Sequence, residues 1–169
     1  MNIGKSRIAL EVGRRTFLGE QWLRGDYVIS TDPERLDYNA IYEYLYKTSY
    51  WASGRPMHVI RKSVKHSLPF GMYQGERQIG FARVVSDYAT FAWVADVFIL
   101  EEFRGQGLSK WLMKVMVSHP ELQGLRRWML ATRDAHGLYR QYGFTDLGNP
   151  SRIMERFSDR PDYDAVRVS

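Results

Sequence analysis

Hydrophobic and polar positions change their period along this chain, from helical spacing to strand-like runs and back. Residues 1–24 show weak periodicity and are set apart as an N-terminal extension. DYVIST (26–31) has the make-up of a short strand. DPERLDYNAIYEYLYKTSYW (32–51) predicts one helix, in which Asp32 can cap the start and Pro33 suits the first turn. RPMHVIRKSVKHS (55–67) predicts a second, shorter helix with Val59, Ile60 and Val64 on one side. Three β-rich runs follow, 68–74, 77–87 and 90–100, separated by the turn segments GER and DYA. They predict an antiparallel meander. A helix is predicted over about 106–117, a buried-type strand over 125–131, and a short helix over 134–143 with Asp134 as a candidate cap. Residues 144–157 are read as the last strand material, and 158–169 as a loose polar tail.

The predicted order is β-α-α-β-β-β-α-β-α-β. A strand, a crossover helix and a strand within 90–131 imply a parallel pair inside a mixed sheet. The fold class is therefore α/β (α+β), with one domain over 25–157.

Composition narrows the chemistry. The 169 residues are 44% hydrophobic and 25% charged, ordinary for a globular chain large enough to bury a core. There is no cysteine, which removes disulfides, thiolate metal ligands and a cysteine nucleophile together. His58, His66, His119 and His136 show no metal-ligand spacing, so no metal site is expected. No apolar run approaches the roughly 20 residues a membrane helix needs, and residues 1–22 lack the apolar centre of a signal peptide. A cytoplasmic protein without a membrane partner is the expectation. The net charge of +5 comes from scattered basic residues with no run of five. That pattern fits a solvated surface or an anionic small ligand better than a nucleic-acid partner.

Arg104–Ser109 reads R-G-Q-G-L-S, between a predicted strand end and a predicted helix start. Helix-start amides lack intrahelical partners, and the glycines Gly105 and Gly107 leave them uncovered. With the positive end of the helix dipole, such a place can cradle a pyrophosphate. A tight strand-to-helix turn would use glycines too. The Walker pattern and the G-x-G-x-x-G dinucleotide fingerprint are both absent, since Lys110 stands where a glycine would be needed.

The segment R-x-x-G-x-(G/A), after a strand and opening a helix, resembles the acetyl-CoA motif of the GNAT superfamily of N-acetyltransferases. Here Arg104, Gly107 and Ser109 occupy it, serine replacing the last small residue. LYRQYGF (138–144) resembles the family's L-Y-x-x-x-G-F segment. QIGFARVVSDYATFAWVADVF, RGQGL and ATRDAHGLY together look like a bacterial subgroup of the same superfamily. The resemblance implies a GNAT fold: a mixed, mostly antiparallel sheet with a central parallel strand pair splayed for acetyl-CoA, flanked by about four helices. It implies acetyl transfer from acetyl-CoA to a primary amine, with no metal. Arg104, Gly105, Gln106, Gly107, Leu108 and Ser109 would hold the pyrophosphate. Val97, Phe98 and Ile99 would lie beside the pantetheine arm. Thr132 falls where many members place an asparagine that touches the cofactor.

Three residues are candidates for proton transfer. Tyr139 matches the family tyrosine that lies near the sulfur and protonates it. Asp96 interrupts the apolar run FAWVADVFIL, where a carboxylate needs a partner or a task. His136, three residues before Tyr139, shares its helical face and has an ordinary pKa suited to proton shuttling. Without cysteine no cysteinyl-acyl intermediate can form, leaving direct transfer in a ternary complex.

Tyr38, Tyr42, Tyr46 and Tyr50 recur every four residues and predict one stripe on the first helix, core or binding surface. In GNAT proteins this region walls the acceptor pocket, so Tyr50, Trp51, Arg55 and Arg83 are candidates to line it. Aromatic residues could hold a flat or cationic amine and an arginine could hold a carboxylate; the sequence leaves both open. Alternatives to a small-molecule enzyme are a catalytically silent acyl-CoA-binding module and a protein-amine acetyltransferase. The superfamily often forms homodimers, but no segment marks an interface.

Overall fold

The computed structural model describes residues 5–8 and 19–167. Seven strands form one sheet in chain order: β1 Lys5–Ile8, β2 Gly19–Arg24, β3 Tyr27–Ser30, β4 Leu68–Gln74, β5 Arg77–Ser86, β6 Phe91–Ile99 and β7 Arg127–Met129. All neighbours are antiparallel except β6 and β7. The meander of β4, β5 and β6 has nearly the bounds the alternation predicts. The parallel pair is present but lies at the end of the sheet and not at its centre, since no described strand follows β7. The sheet also reaches back into the segment read as an extension: β2 pairs with β3 from Gln21↔Ser30 to Arg24↔Tyr27.

Helices cover both faces. On one face α3 (Leu108–Val117) buries Leu108, Trp111, Leu112, Met113, Val115 and Met116 against Leu68, Phe70, Met72, Val84 and Val94. Each such side chain contributes about 1.5–3 kcal/mol by leaving water. On the other face α1 (Tyr38–Glu43), the turn after it and α2 (Met57–Lys65) set Ile41, Leu45, Ile60 and Val64 against Phe81 and Phe98. The short α4 (His136–Arg140) follows β7.

The single helix expected over 32–51 is broken into three pieces. Asp32 does cap, but only a 3₁₀ turn, Pro33–Arg35. Leu36 is then extended, and Asp37 caps α1 afresh by accepting from the amides of Asn39 and Ala40. Two Asx-type caps five residues apart compete with one continuous helix. Next comes a π turn, Tyr44–Thr48, in which the Ser49 amide reaches back to the Tyr44 carbonyl at 2.9 Å. The tyrosine stripe continues into this turn only as far as Tyr46, and Tyr50 lies beyond it in a bend. Tyr42 and Tyr46 stack with centroids 5.0 Å apart, while Tyr44 stacks on Phe98 at 3.9 Å.

Residues 144–157 form no strand. Asn149-Pro150 starts a 3₁₀ turn, and Met154 and Phe157 stand 94% and 79% exposed. Ile153, Met154 and Phe157 do not alternate, so no strand face could be buried as a set. The tail is held against α2: His58 Nε2 lies 2.9 Å from the Tyr163 carbonyl, and Lys62 donates to the Arg167 carbonyl. Among the described residues no helix is long and apolar enough to cross a membrane.

Candidate active site

The β6–β7 ladder runs only from Phe91↔Arg127 to Trp93↔Met129, while β6 continues to Ile99. Past that point the two strands part. A cavity of about 760 Å³ fills the opening, within the range of pockets that hold a cofactor-sized ligand.

Its floor is the second half of β6, which carries a bulge. Phe81 faces Phe98 and Arg83 faces Ala95, so Asp96 and Val97 stand opposite the single residue Ala82. Asp96 has φ 53°, rare for a non-glycine residue. The extra residue reverses the strand's facing. Val94 belongs to the α3 core, yet Phe98, four residues on, packs among α1 and α2 residues, and Ile99 returns to the α3 side. A regular strand would have kept Val94 and Phe98 on one face.

Asp96 is buried and fully engaged. Its Oδ1 accepts from Trp51 Nε1 at 3.1 Å and Arg55 Nη1 at 3.2 Å. Its Oδ2 accepts from Arg55 Nη1 at 3.1 Å and Arg83 Nε at 2.6 Å. Burial raises its pKa, but the charges of Arg83 and Arg55 and the hydrogen bonds from Arg83 and Trp51 outweigh it and hold the carboxyl below its ordinary value. Four donor contacts occupy about the four lone-pair sites a carboxylate offers.

At one end of the cavity lies the mouth of α3. Gly105 (φ 77°) and Gly107 (φ 71°) are both left-handed, and Gly107 occupies the N-cap position with no side-chain cap. The amides that open α3 are thus uncovered, as an anion cradle requires. Neither glycine is there for want of room. A Cβ at Gly105 would meet nothing within 4 Å, and one at Gly107 only the Arg24 guanidinium, at 3.8 Å. The demand is conformational. Arg104 is exposed but folds back on the protein: Nε donates to the Ile99 carbonyl at 3.2 Å and Nη2 to the Tyr44 hydroxyl at 2.9 Å. It ties the end of β6 to the π turn.

The far wall carries Thr132, Asp134, Leu138 and Tyr139. Tyr139 is buried, with its ring edge-on to Phe144. Burial, with smaller contributions from Tyr50 and Asp134, pushes its phenol up to about 12, so it keeps its proton at neutral pH. The Thr132 hydroxyl accepts from the Ala135 amide at 3.1 Å; Asp134 does not cap α4, whose N-cap position is Ala135 with no side-chain cap. Arg133, exposed and outside the cavity lining, holds Tyr50: its guanidinium sits 3.8 Å over the Tyr50 ring, and its amide donates to the Tyr50 hydroxyl at 2.9 Å.

All the candidate residues named from the sequence line this one cavity except two. His136 is exposed and lines a neighbouring depression with Trp128 and Arg140; Tyr139 borders that depression as well as the cavity, whereas His136 does not line the cavity itself. Gln106 turns away and accepts from the Tyr27 hydroxyl at 2.7 Å. The sequence reading missed the bracing of the cradle by the β2–β3 hairpin. Arg24 Nη1 donates to the Gly107 carbonyl at 3.3 Å across 83 residues of chain. No local pattern could announce that contact. It also passed over Tyr44, whose place on the cavity follows from the π turn.

A glycine-opened helix mouth, a parted parallel pair and a bulged strand β6 thus border one open cavity. The comparisons give this arrangement its family. The profile described as Acetyltransferase (GNAT) domain matches residues 65–146. A protein of Gibberella zeae named as a putative acetyltransferase is 32% identical over 142 residues, 71% of this chain and 79% of that one. A crystal structure from Xanthomonas campestris pv. campestris, described as belonging to the GNAT family, is 49% identical. It superposes with a TM-score of 0.77 over 78% of this chain and 93% of the other. A GNAT family protein of Streptococcus pneumoniae, 21% identical with a TM-score of 0.62 over 80% of this chain and 99% of its own, shares the fold. The chain belongs to the GNAT superfamily and is an acyltransferase, in a family that uses acetyl-CoA.

Proposed function

We propose that this enzyme moves an acetyl group from acetyl-CoA to a primary amine of a small molecule by direct attack, both substrates being bound together. One observation carries the reading: the open amides of α3, the far half of β6 and Tyr139 all border a single cavity that continues to Arg55 and Arg83. Bound there, acetyl-CoA supplies a thioester carbonyl for the amine and a sulfur that must leave.

The remaining work falls to the chain. The amides of Leu108 and Ser109 hold the diphosphate, and the dipole of α3 favours its charge. Val97, Phe98 and Ile99 offer backbone groups to the pantetheine arm where β7 has diverged. Tyr139 holds its proton until the sulfur departs and donates it from its hydroxyl. Asp96, with its lone pairs taken, positions Arg55 and Arg83, and the amine loses its proton to water at the open end of the cavity. His136 takes no part. The cytoplasm, where acetyl-CoA is at hand, is the compartment this reading implies.

The test is incubation of the purified protein with acetyl-CoA and a broad panel of small primary amines, reading thiol release and product mass. Acetylation of at least one small amine is expected. Acetyl-CoA binding with no acetylated product from any amine would make this a binding module, and acetylation of protein lysines alone would move the acceptor to proteins.

A further inference from the structure

The acceptor end of the cavity holds an unbalanced charge. Arg55 comes from the loop before α2 and Arg83 from β5, and both close on the single carboxylate of Asp96. Their side chains are 18% and 12% exposed. The other charged residues on the cavity are elsewhere: Arg104 is turned to Ile99 and Tyr44, and Asp134 sits on the α4 side beside Arg133. Two guanidiniums against one carboxylate leave one net positive charge at a largely dehydrated place.

The donors are not all used. Arg83 spends Nε on Asp96 and Nη1 on the Ser67 hydroxyl, and Arg55 spends Nη1 on Asp96. Each guanidinium has five N–H groups in a planar fork. An uncompensated charge this far from water is costly, and an anionic partner removes the cost. The bulge at Asp96 that builds the pair also turns it from the α3 core toward the cavity. Trp51, whose indole completes the Asp96 contacts, stands with Tyr50 beside this end at ring centroids 5.0 Å apart.

Resting on the acetyltransferase reading, we infer that the acceptor amine carries a carboxylate, which docks on Arg55 and Arg83 while its amine faces the Tyr139 side. A carboxylate matches the guanidinium fork in two parallel hydrogen bonds. An amine lacking it leaves the two donors unpaired on binding. The substrate class is therefore an amino acid or a close relative with a free acid group.

The experiment compares the standard amino acids with their amides, which keep the amine and side chain and lose only the acid. Acetyl-CoA binding is measured first by calorimetry, then binding of each pair to protein saturated with coenzyme A, then kcat/KM. For the preferred pair the free acid should win by about 10- to 100-fold, the worth of charge-assisted hydrogen bonds to an ion. In Arg55→Gln that ratio should fall toward one, and in Arg55→Lys it should recover in part. If acetyl-CoA fails to bind, the acetyltransferase reading falls and this inference with it. If acetyl-CoA binds but amides equal or exceed the acids, only the inference falls. Phosphoethanolamine outcompeting every carboxylate would likewise overturn it.

Discussion

Consider Asp96→Asn, which keeps the shape of the side chain and removes its charge. Asp96 is buried and meets Trp51, Arg55 and Arg83 at 2.6–3.2 Å. Asparagine would leave two guanidiniums facing each other with no counter-charge, and its amide nitrogen would present donors to donors. Breaking a buried pair from one side costs about 3–5 kcal/mol, and for a chain of this size each kcal/mol lowers Tm by about 2–4 °C. A fall of about 6–20 °C in thermal unfolding at pH 7 is expected on those figures. The pH dependence has a definite direction. Because the folded carboxyl is held below its ordinary value of 3.8, its stabilising effect is present above that value and lost as pH falls through the depressed folded one. The gap between the native protein and Asp96→Asn should therefore narrow on acidification below that range. Catalysis should respond through the acceptor, with KM rising more than kcat falls. An unchanged Tm together with a collapse of kcat would refute this account and make Asp96 the base.

Three further outcomes follow from the geometry. Tyr139→Phe should lower kcat by about 100-fold or more with acetyl-CoA affinity retained, as for loss of a general acid; the deficit should shrink above about pH 8.5, where a thiolate leaves more readily unprotonated, and steady-state rates from pH 6 to 10 check it. Gly107→Val places a β-branched residue at φ 71°, a strain of about 1–2 kcal/mol, so acetyl-CoA should bind about 10-fold more weakly by calorimetry while circular dichroism keeps the folded spectrum. Arg24→Ala removes the brace on the Gly107 carbonyl and a positive charge beside the cradle; the dissociation constant of acetyl-CoA should rise about two- to fivefold at low salt and less at high salt.

The meander and the glycine-opened start of α3 were legible in the sequence because their signals are local. Alternation over 68–100 set three strands, and two glycines before an apolar-periodic run set the mouth of α3. The aromatic segment after Asp32 misled, because a tyrosine every four residues reads as one helix. Asp37 offered a competing cap, and the π turn, recognisable only by its hydrogen bonds, moved Tyr44 onto the cavity. For His136 and Tyr139, spacing of three residues puts the two side chains near one another on a helix, and both border the depression beside the cavity, but the spacing does not say that only Tyr139 also reaches the cavity.

By itself the chain determined periodicity, turn chemistry and the absence of cysteine, and through them the mixed sheet and the exclusion of a cysteinyl-acyl intermediate. Only the tertiary structure decided which charges meet. Arg55, Arg83 and Asp96 are separated by 28 and 13 residues at the nearest, and Arg24 reaches Gly107 across 83. Contacts of that kind are fixed by strand register and by one inserted residue in β6, which turns a side chain to the opposite face of the sheet.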